Sequence, residues 1–180
     1  MYRKSMLDAI GGFDEDLFAY GDDAELGLRA RIAGWTCIYM PRAVVRHHRG
    51  TTLGLLSFRR LRLIERNRVL LAAKLFPGSL LWLNGLHYLA RLVSGARAAA
   101  RGKGEIGRFP GWDSKLKALL AMIAGDLEAI TMLPRTIMKR RALRPLRKLS
   151  PAQVKQLLLR HLISLKELSE GAVKPPGRPS

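Results

Sequence analysis

With 180 residues and a formal net charge of +18, the chain is long enough to bury a core and too basic to be indifferent to polyanions. Its single cysteine, Cys37, excludes an intrachain disulfide and is compatible with a reducing compartment. The charge is unevenly placed: the first 25 residues hold seven acids and two bases, whereas the rest hold thirty bases and seven acids. That body should meet an anionic membrane face, nucleotide phosphates or nucleic acid.

In chain order, Gly11-Gly12 predicts a tight turn, with Phe13 in the core and Asp14-Glu15 on the bend that follows. Asp22 reads as a helix N-cap with Glu25 three residues on, a capping-box pattern. Leu26, Ala30 and Ala33 form the inner face of that helix, and Gly34 stops it. Asp23 then lies in the first turn, where the partial positive charge of the helix end keeps a carboxylate ionised. Residues 35–40 and 43–47 are rich in β-formers and separated by Pro41, and they predict two strands. His47, Arg49, Gly50 and Thr51 follow as imidazole, cation, turn and hydroxyl, the kinds of group that stabilise a leaving phosphate.

The remainder predicts helices. One spans Phe58 to Phe76 with Arg59, Arg62 and Arg66 on one face. Residues 79–100 are apolar but interrupted by Asn84, His87, Arg91 and Arg97, so no uncharged run is long enough to span a bilayer. Residues 102–112 read as a loop. Residues 114–133 carry the stripe Leu116, Leu119, Leu120, Ile123, Leu127 and Ile130, with Pro134 expected to kink or end the helix. The basic cluster Lys139, Arg140 and Arg141, with Arg144, Arg147 and Lys148, comes next, and Ser150-Pro151-Ala152-Gln153 opens a last helix that Gly171 ends. The expected organisation is residues 1–57 as a partial catalytic domain, 58–149 as a basic amphipathic helical region, 150–170 as a C-terminal helix and 171–180 as a disordered tail.

Gly11-Gly12-Phe13-Asp14-Glu15, Tyr20-Gly21-Asp22-Asp23-Ala24-Glu25-Leu26, Arg29 and Pro41 through Thr51, taken in that order over some 40 residues, resemble the acceptor-side half of the family 2 glycosyltransferases of GT-A fold. Arg66-Asn67 is similar to an Arg-Asn found at this point in many members, and the tail is similar to the rhamnosyltransferase-like branch. The resemblance implies an α/β portion, a helix plus a few strands, followed by the mainly α-helical amphipathic region. It makes Asp23 the general base of an inverting sugar transfer, with Asp22 and Glu25 beside it, the former standing where the family usually has Glu and the latter where it has Asp. His47, Arg49 and Thr51 would meet the donor diphosphate, and His47 is also a candidate metal ligand. The family's nucleotide-binding half, with its Asp-x-Asp motif and divalent Mg or Mn, would belong upstream of about Arg3. The chain is therefore expected to be a C-terminal portion that binds no metal and is inactive alone.

The implied partners are a nucleotide-sugar donor, a lipid-linked or polysaccharide acceptor and an anionic membrane surface. Arg59, Arg62, Arg66, Lys139, Arg140 and Arg141 would hold the protein to the cytoplasmic face as a peripheral enzyme of cell-surface glycan synthesis. A membrane-surface adaptor without catalysis is the alternative. A nucleic-acid-binding module is disfavoured, since no zinc spacing, RNP-like aromatic motif or helix-turn-helix signature accompanies the charge.

Overall fold

The computed structural model describes residues 1–45, 53–54 and 56–162. Seven helices follow one another: α1 (Lys4–Ile10), α2 (Asp22–Ile32), α3 (Phe58–Leu75), α4 (Gly78–Ala100), α5 (Gly104–Gly107), α6 (Gly111–Ala142) and α7 (Pro151–Arg160). Two 3₁₀ turns, Glu15–Leu17 and Arg144–Leu146, punctuate them.

Among the described residues there is no strand, which corrects the expectation of an α/β portion. Residues 35–40 and 43–45 do not pair with each other, and Ile38, Tyr39, Met40, Val44 and Val45 are all at least 60% exposed. Strand propensity is a preference for a pleated, half-buried surface, and it yields a strand only when a ladder partner and a face to pack on are supplied. These residues find neither within the described chain.

The longest interface joins α3 to α6. α6 runs through Pro134 for 32 residues without ending there. Packing holds it on both sides, since Ala129 and Thr136 are both buried. It turns its small residues inward: Ala118, Gly125, Ala129 and Thr136 are the buried ones. The large apolar stripe faces outward, with Leu116, Leu120, Leu127 and Ile130 each more than half exposed. Small residues win the interface because they let the backbones approach. A Cβ on Gly125 would sit inside the van der Waals radius of the Arg62 carbonyl oxygen. Gly125→Ala is therefore expected to lose about 1–3 kcal/mol, against the usual helix preference for Ala, and a lowered urea midpoint would show it.

Smaller clusters complete the core. Met6, Ile10, Leu26, Ala30 and Ala33 join α1 to α2. Leu17 packs on Leu70 and Ala129, which seats the first 3₁₀ turn against α3 and α6. Ile32, Leu75 and Val154 join α2, α3 and α7. The capping box expected at α7 is present, with Ser150 and Gln153 exchanging side-chain bonds to each other's backbone N–H. The α4 helix is pinned through Tyr88, whose hydroxyl bonds Asp126 and whose ring lies 4.7 Å from the Arg68 guanidinium. No described helix is long and apolar enough to cross a membrane.

Candidate functional site

The acidic head folds around cations brought from the helices. Glu25 is fully buried and points inward. Its carboxylate takes Arg29 at 2.9 Å and Lys74 at 2.7 Å. Arg29 in turn donates to the carbonyls of Ile10, Gly11 and Gly12, so it closes the glycine turn from inside. Gly11 has φ +83, a conformation that favours glycine, and a Cβ there would press on the Arg29 guanidinium. The paired glycines, Glu25 and Arg29 are thus one structural unit. The capping box expected of Asp22 and Glu25 does not form: the N-cap is Gly21, without a side-chain bond, because Glu25 is engaged in the core.

Asp14 and Asp16 are also neutralised. Asp14 accepts from Lys74 at 2.5 Å and from Lys139, and Asp16 holds Lys139 at 2.5 Å and Arg135 at 2.9 Å. Burial alone would raise the Asp14 pKa, but the two lysines outweigh it and hold the carboxyl at about 2. Phe13, expected in the core, is 54% exposed and meets only the edge of the Tyr2 ring.

Asp22 and Asp23 differ from these acids. Neither makes an ion pair among the described residues; Asp23 is exposed, and its Oδ1 accepts the Ala24 N–H at 2.8 Å. The pair is delivered by a strained loop. Phe18 (φ 59) and Tyr20 (φ 70) are left-handed without being glycine, and Gly21 follows at φ 82. Such conformations cost about 1–3 kcal/mol each and persist only where the surroundings fix them.

Here α3 fixes them. Asn67 Nδ2 donates toward the carbonyls of Leu17, Ala19 and Tyr20 at 2.7–2.8 Å, so its two hydrogens serve three acceptors. Arg66 donates to the Asp16 and Leu17 carbonyls at 3.0 and 3.2 Å and orients Asn67 through its Oδ1. Arg59 lies over the Phe18 ring and Arg60 over the Tyr20 ring, at 5.7 and 5.6 Å. Asn67→Leu removes this donor from the Ala19 and Tyr20 carbonyls and leaves Leu17 to Arg66 alone, and it is expected to cost about 1–3 kcal/mol, read as a lower urea midpoint with faster amide exchange over residues 18–23.

Of the remaining predicted residues, His47, Arg49 and Thr51 lie outside the described residues. Arg62 and Arg66 share Glu128, at 2.7 and 2.8 Å, and Arg66 is buried. Burial pushes the Glu128 pKa up, and the two guanidinium hydrogen bonds bring it below the usual carboxylate value. Lys139 is bound to Asp14 and Asp16, and Arg140 donates to the Ala73 carbonyl at 2.8 Å. Arg141 is exposed. The exposed cations nearest the outward apolar stripe are Arg97, Arg101, Lys103, Arg108 and Lys117. Among the described residues no three His, Cys, Asp or Glu side chains gather to hold a metal ion. Asp14 and Asp16 hold lysine and arginine instead, so the described groups do not fit a divalent cation.

The sequence reading missed Lys74, whose signal was a lone cation inside an apolar helical segment. It also left Asn67 without a role, although the residue was noticed beside Arg66.

Comparison with known proteins finds matches over the same region of the sequence. The model of the glycosyltransferase like family 2 matches residues 1–65. The N-acetylglucosaminyl-diphospho-decaprenol L-rhamnosyltransferases of Mycobacterium tuberculosis strains CDC 1551 / Oshkosh and ATCC 25618 / H37Rv are each 43% identical over 54 residues. That stretch is 30% of this chain and 18% of theirs, so the chain matches under a fifth of the relatives' length. No solved structure matches it.

Proposed function

Because residues 1–65 are family 2 glycosyltransferase sequence, we propose that this chain supplies the acceptor-activating part of an inverting glycosyltransferase. The observation that carries the reading is the contrast within one acidic stretch. Asp14, Asp16 and Glu25 are neutralised by lysine and arginine, whereas Asp23 at the start of α2 is exposed and makes no ion pair among the described residues. A carboxylate so placed is a proton acceptor. The acceptor hydroxyl approaches Asp23, loses its proton to the carboxylate, and its oxygen attacks the anomeric carbon of the sugar as the nucleotide diphosphate departs. Asp22 sits beside the base and adds negative potential, while Glu25 serves the fold.

The donor is a nucleotide sugar, and a hexosyl group is the one transferred. Its diphosphate is assigned to His47, Arg49 and Thr51, together with the divalent Mg or Mn and the nucleotide-binding elements of a complete catalytic unit. The metal would neutralise the leaving diphosphate. The acceptor is lipid- or polysaccharide-linked, and a polyprenyl diphosphate sugar like the one named for the mycobacterial relatives is the favoured form. The outward apolar stripe of α6 and exposed cations such as Arg97, Arg101, Lys103 and Lys117 support the further part of the proposal, a peripheral position on the cytoplasmic face of an anionic membrane. That same stripe favours a second reading, a membrane-surface protein that does no chemistry.

A chimera separates the two. It joins the part of the mycobacterial relative that precedes the 54-residue match to this whole chain, and it is assayed for sugar transfer to a polyprenyl diphosphate acceptor. Transfer that depends on Asp23 supports the enzyme. Correctly folded chimera with no transfer, floating with anionic vesicles, supports the adaptor.

A further inference from the structure

A large concavity of the described molecule is lined by none of the residues of the acidic pair. α3, α4, α5 and the first half of α6 enclose a groove of about 790 Å³, the size of a site for a small organic ligand. Its walls are apolar, formed by Leu61, Ile64, Val93, Leu116, Leu119 and Met122, and Trp112 stands 78% exposed at its edge.

The rim is basic. Lys115 lines the groove with its ammonium 5.2 Å from the Trp112 ring, and Arg101 and Lys103 fall between the lining residues Ala100 and Gly104. The rim acid Glu105 is neutralised by Arg60 at 2.5 Å, with Arg108 at 3.9 Å. Burial lowers the tendency of Arg60 to stay charged, but its bond to Glu105 prevails and raises its pKa. The same Arg60 guanidinium lies over the ring of Tyr20, three residues before Asp23. Arg60 therefore links the lining residue Glu105 to the loop that presents the acidic pair.

We propose that this groove binds the hydrocarbon chain of a polyprenyl phosphate or diphosphate lipid, with the anionic end at the Arg101–Lys103–Lys115 rim. An apolar trough with a cationic mouth complements an amphiphile that has one long chain and a concentrated negative charge. It does not complement a polar polymer. The inference rests on the lipid-linked acceptor reading above, and it explains how a water-insoluble acceptor is brought beside Asp23.

The test uses the whole chain and farnesyl phosphate below its micellar concentration, with binding followed by calorimetry and by the blue shift of Trp112 in a Trp35→Phe, Trp82→Phe background. Saturable binding is expected, at least tenfold tighter than that of farnesol or of pyrophosphate. Gly95→Trp fills the groove from a position where an added side chain meets open space, and Leu116→Asp places a charge on its wall. Each is expected to weaken binding tenfold or more while the helical circular dichroism is retained. Asp23→Asn should bind as the native chain does, so a failure of catalysis and a failure of the groove are told apart. Equal binding by native, Gly95→Trp and Leu116→Asp chains overturns the proposal. So does flotation with anionic vesicles in the absence of any saturable single-lipid binding, which makes this face a bilayer contact. Concentration-dependent dimerisation that Leu116→Asp abolishes, with no lipid bound, overturns it in favour of a second copy of the chain.

Discussion

Asp23→Asn is expected to abolish sugar transfer, lowering kcat by about 10²- to 10⁴-fold while leaving donor binding, lipid binding and thermal stability at native levels. The isosteric amide keeps the side chain's size and its bond to the Ala24 N–H but cannot accept a proton from an alcohol. Its exposure, and the absence of any ion pair to it among the described residues, remove the usual reason for a structural loss. Asp22→Asn should be milder, since Asp22 is assigned no proton in the displacement. The measurement is turnover by the chimera with substrate saturation curves for both partners. A fall confined to KM would make Asp23 a binding group, and turnover at the native rate would remove it from the chemistry.

The loop that carries this carboxylate shows why a motif can be read in sequence while its parts are misassigned. Order and spacing from Gly11 to Arg29 pointed to the family that the match over residues 1–65 supports, because local spacing is written along the chain. Glu25 looked like a capping residue because the capping pattern needs only an acid three positions after the cap. What turns it inward is Lys74, nearly fifty residues away, and no local rule reaches that far. Asn67 likewise acquires its role only when α3 is laid against the loop.

The helices were legible where their signals were local: Ser150 with Gln153 at α7, and Gly34 after α2. Among the described residues the strands were not realised, because β-formers at 35–40 and 43–45 report a need for neighbours and cannot supply them. The periodicity of the stripe on α6 is legible in the sequence, but the face that meets α3 is not. Close approach of two helices selected Gly125 and Ala129 over leucines, and the leucines were left for a different apolar surface. Pro134, expected to kink or end the helix, does not end it, because the helix is held on both sides.

Glu25→Ala should be the most destabilising single change in the chain, at about 3–5 kcal/mol, because it leaves the buried Arg29 and Lys74 without their shared counter-charge. Much of that loss arises from the stranded cations rather than from the strength of the pair itself. A double variant, Glu25→Leu with Lys74→Met, removes the carboxylate and one cation together and is expected to recover part of the stability, measured as urea midpoints at constant slope. Equal loss in the single and double variants would show that the backbone carbonyls of the glycine turn, held by Arg29, matter more than the charges.

Acid should attack the same network in an ordered way. Asp14 is held at about 2 by Lys139 and Lys74, below its ordinary 3.8. Between those values the unfolded chain binds the proton that the folded chain refuses, so stability falls as pH falls. The contribution is complete above about pH 4 and is lost by the time pH has dropped through about 2. Asp14→Asn should flatten that part of the stability profile and leave the slope above pH 5 unchanged. A profile as steep as the native one would place the acid sensitivity in another carboxylate, and would separate the scaffold that seats the Asp22-Asp23 loop from the lysines assigned here to hold it.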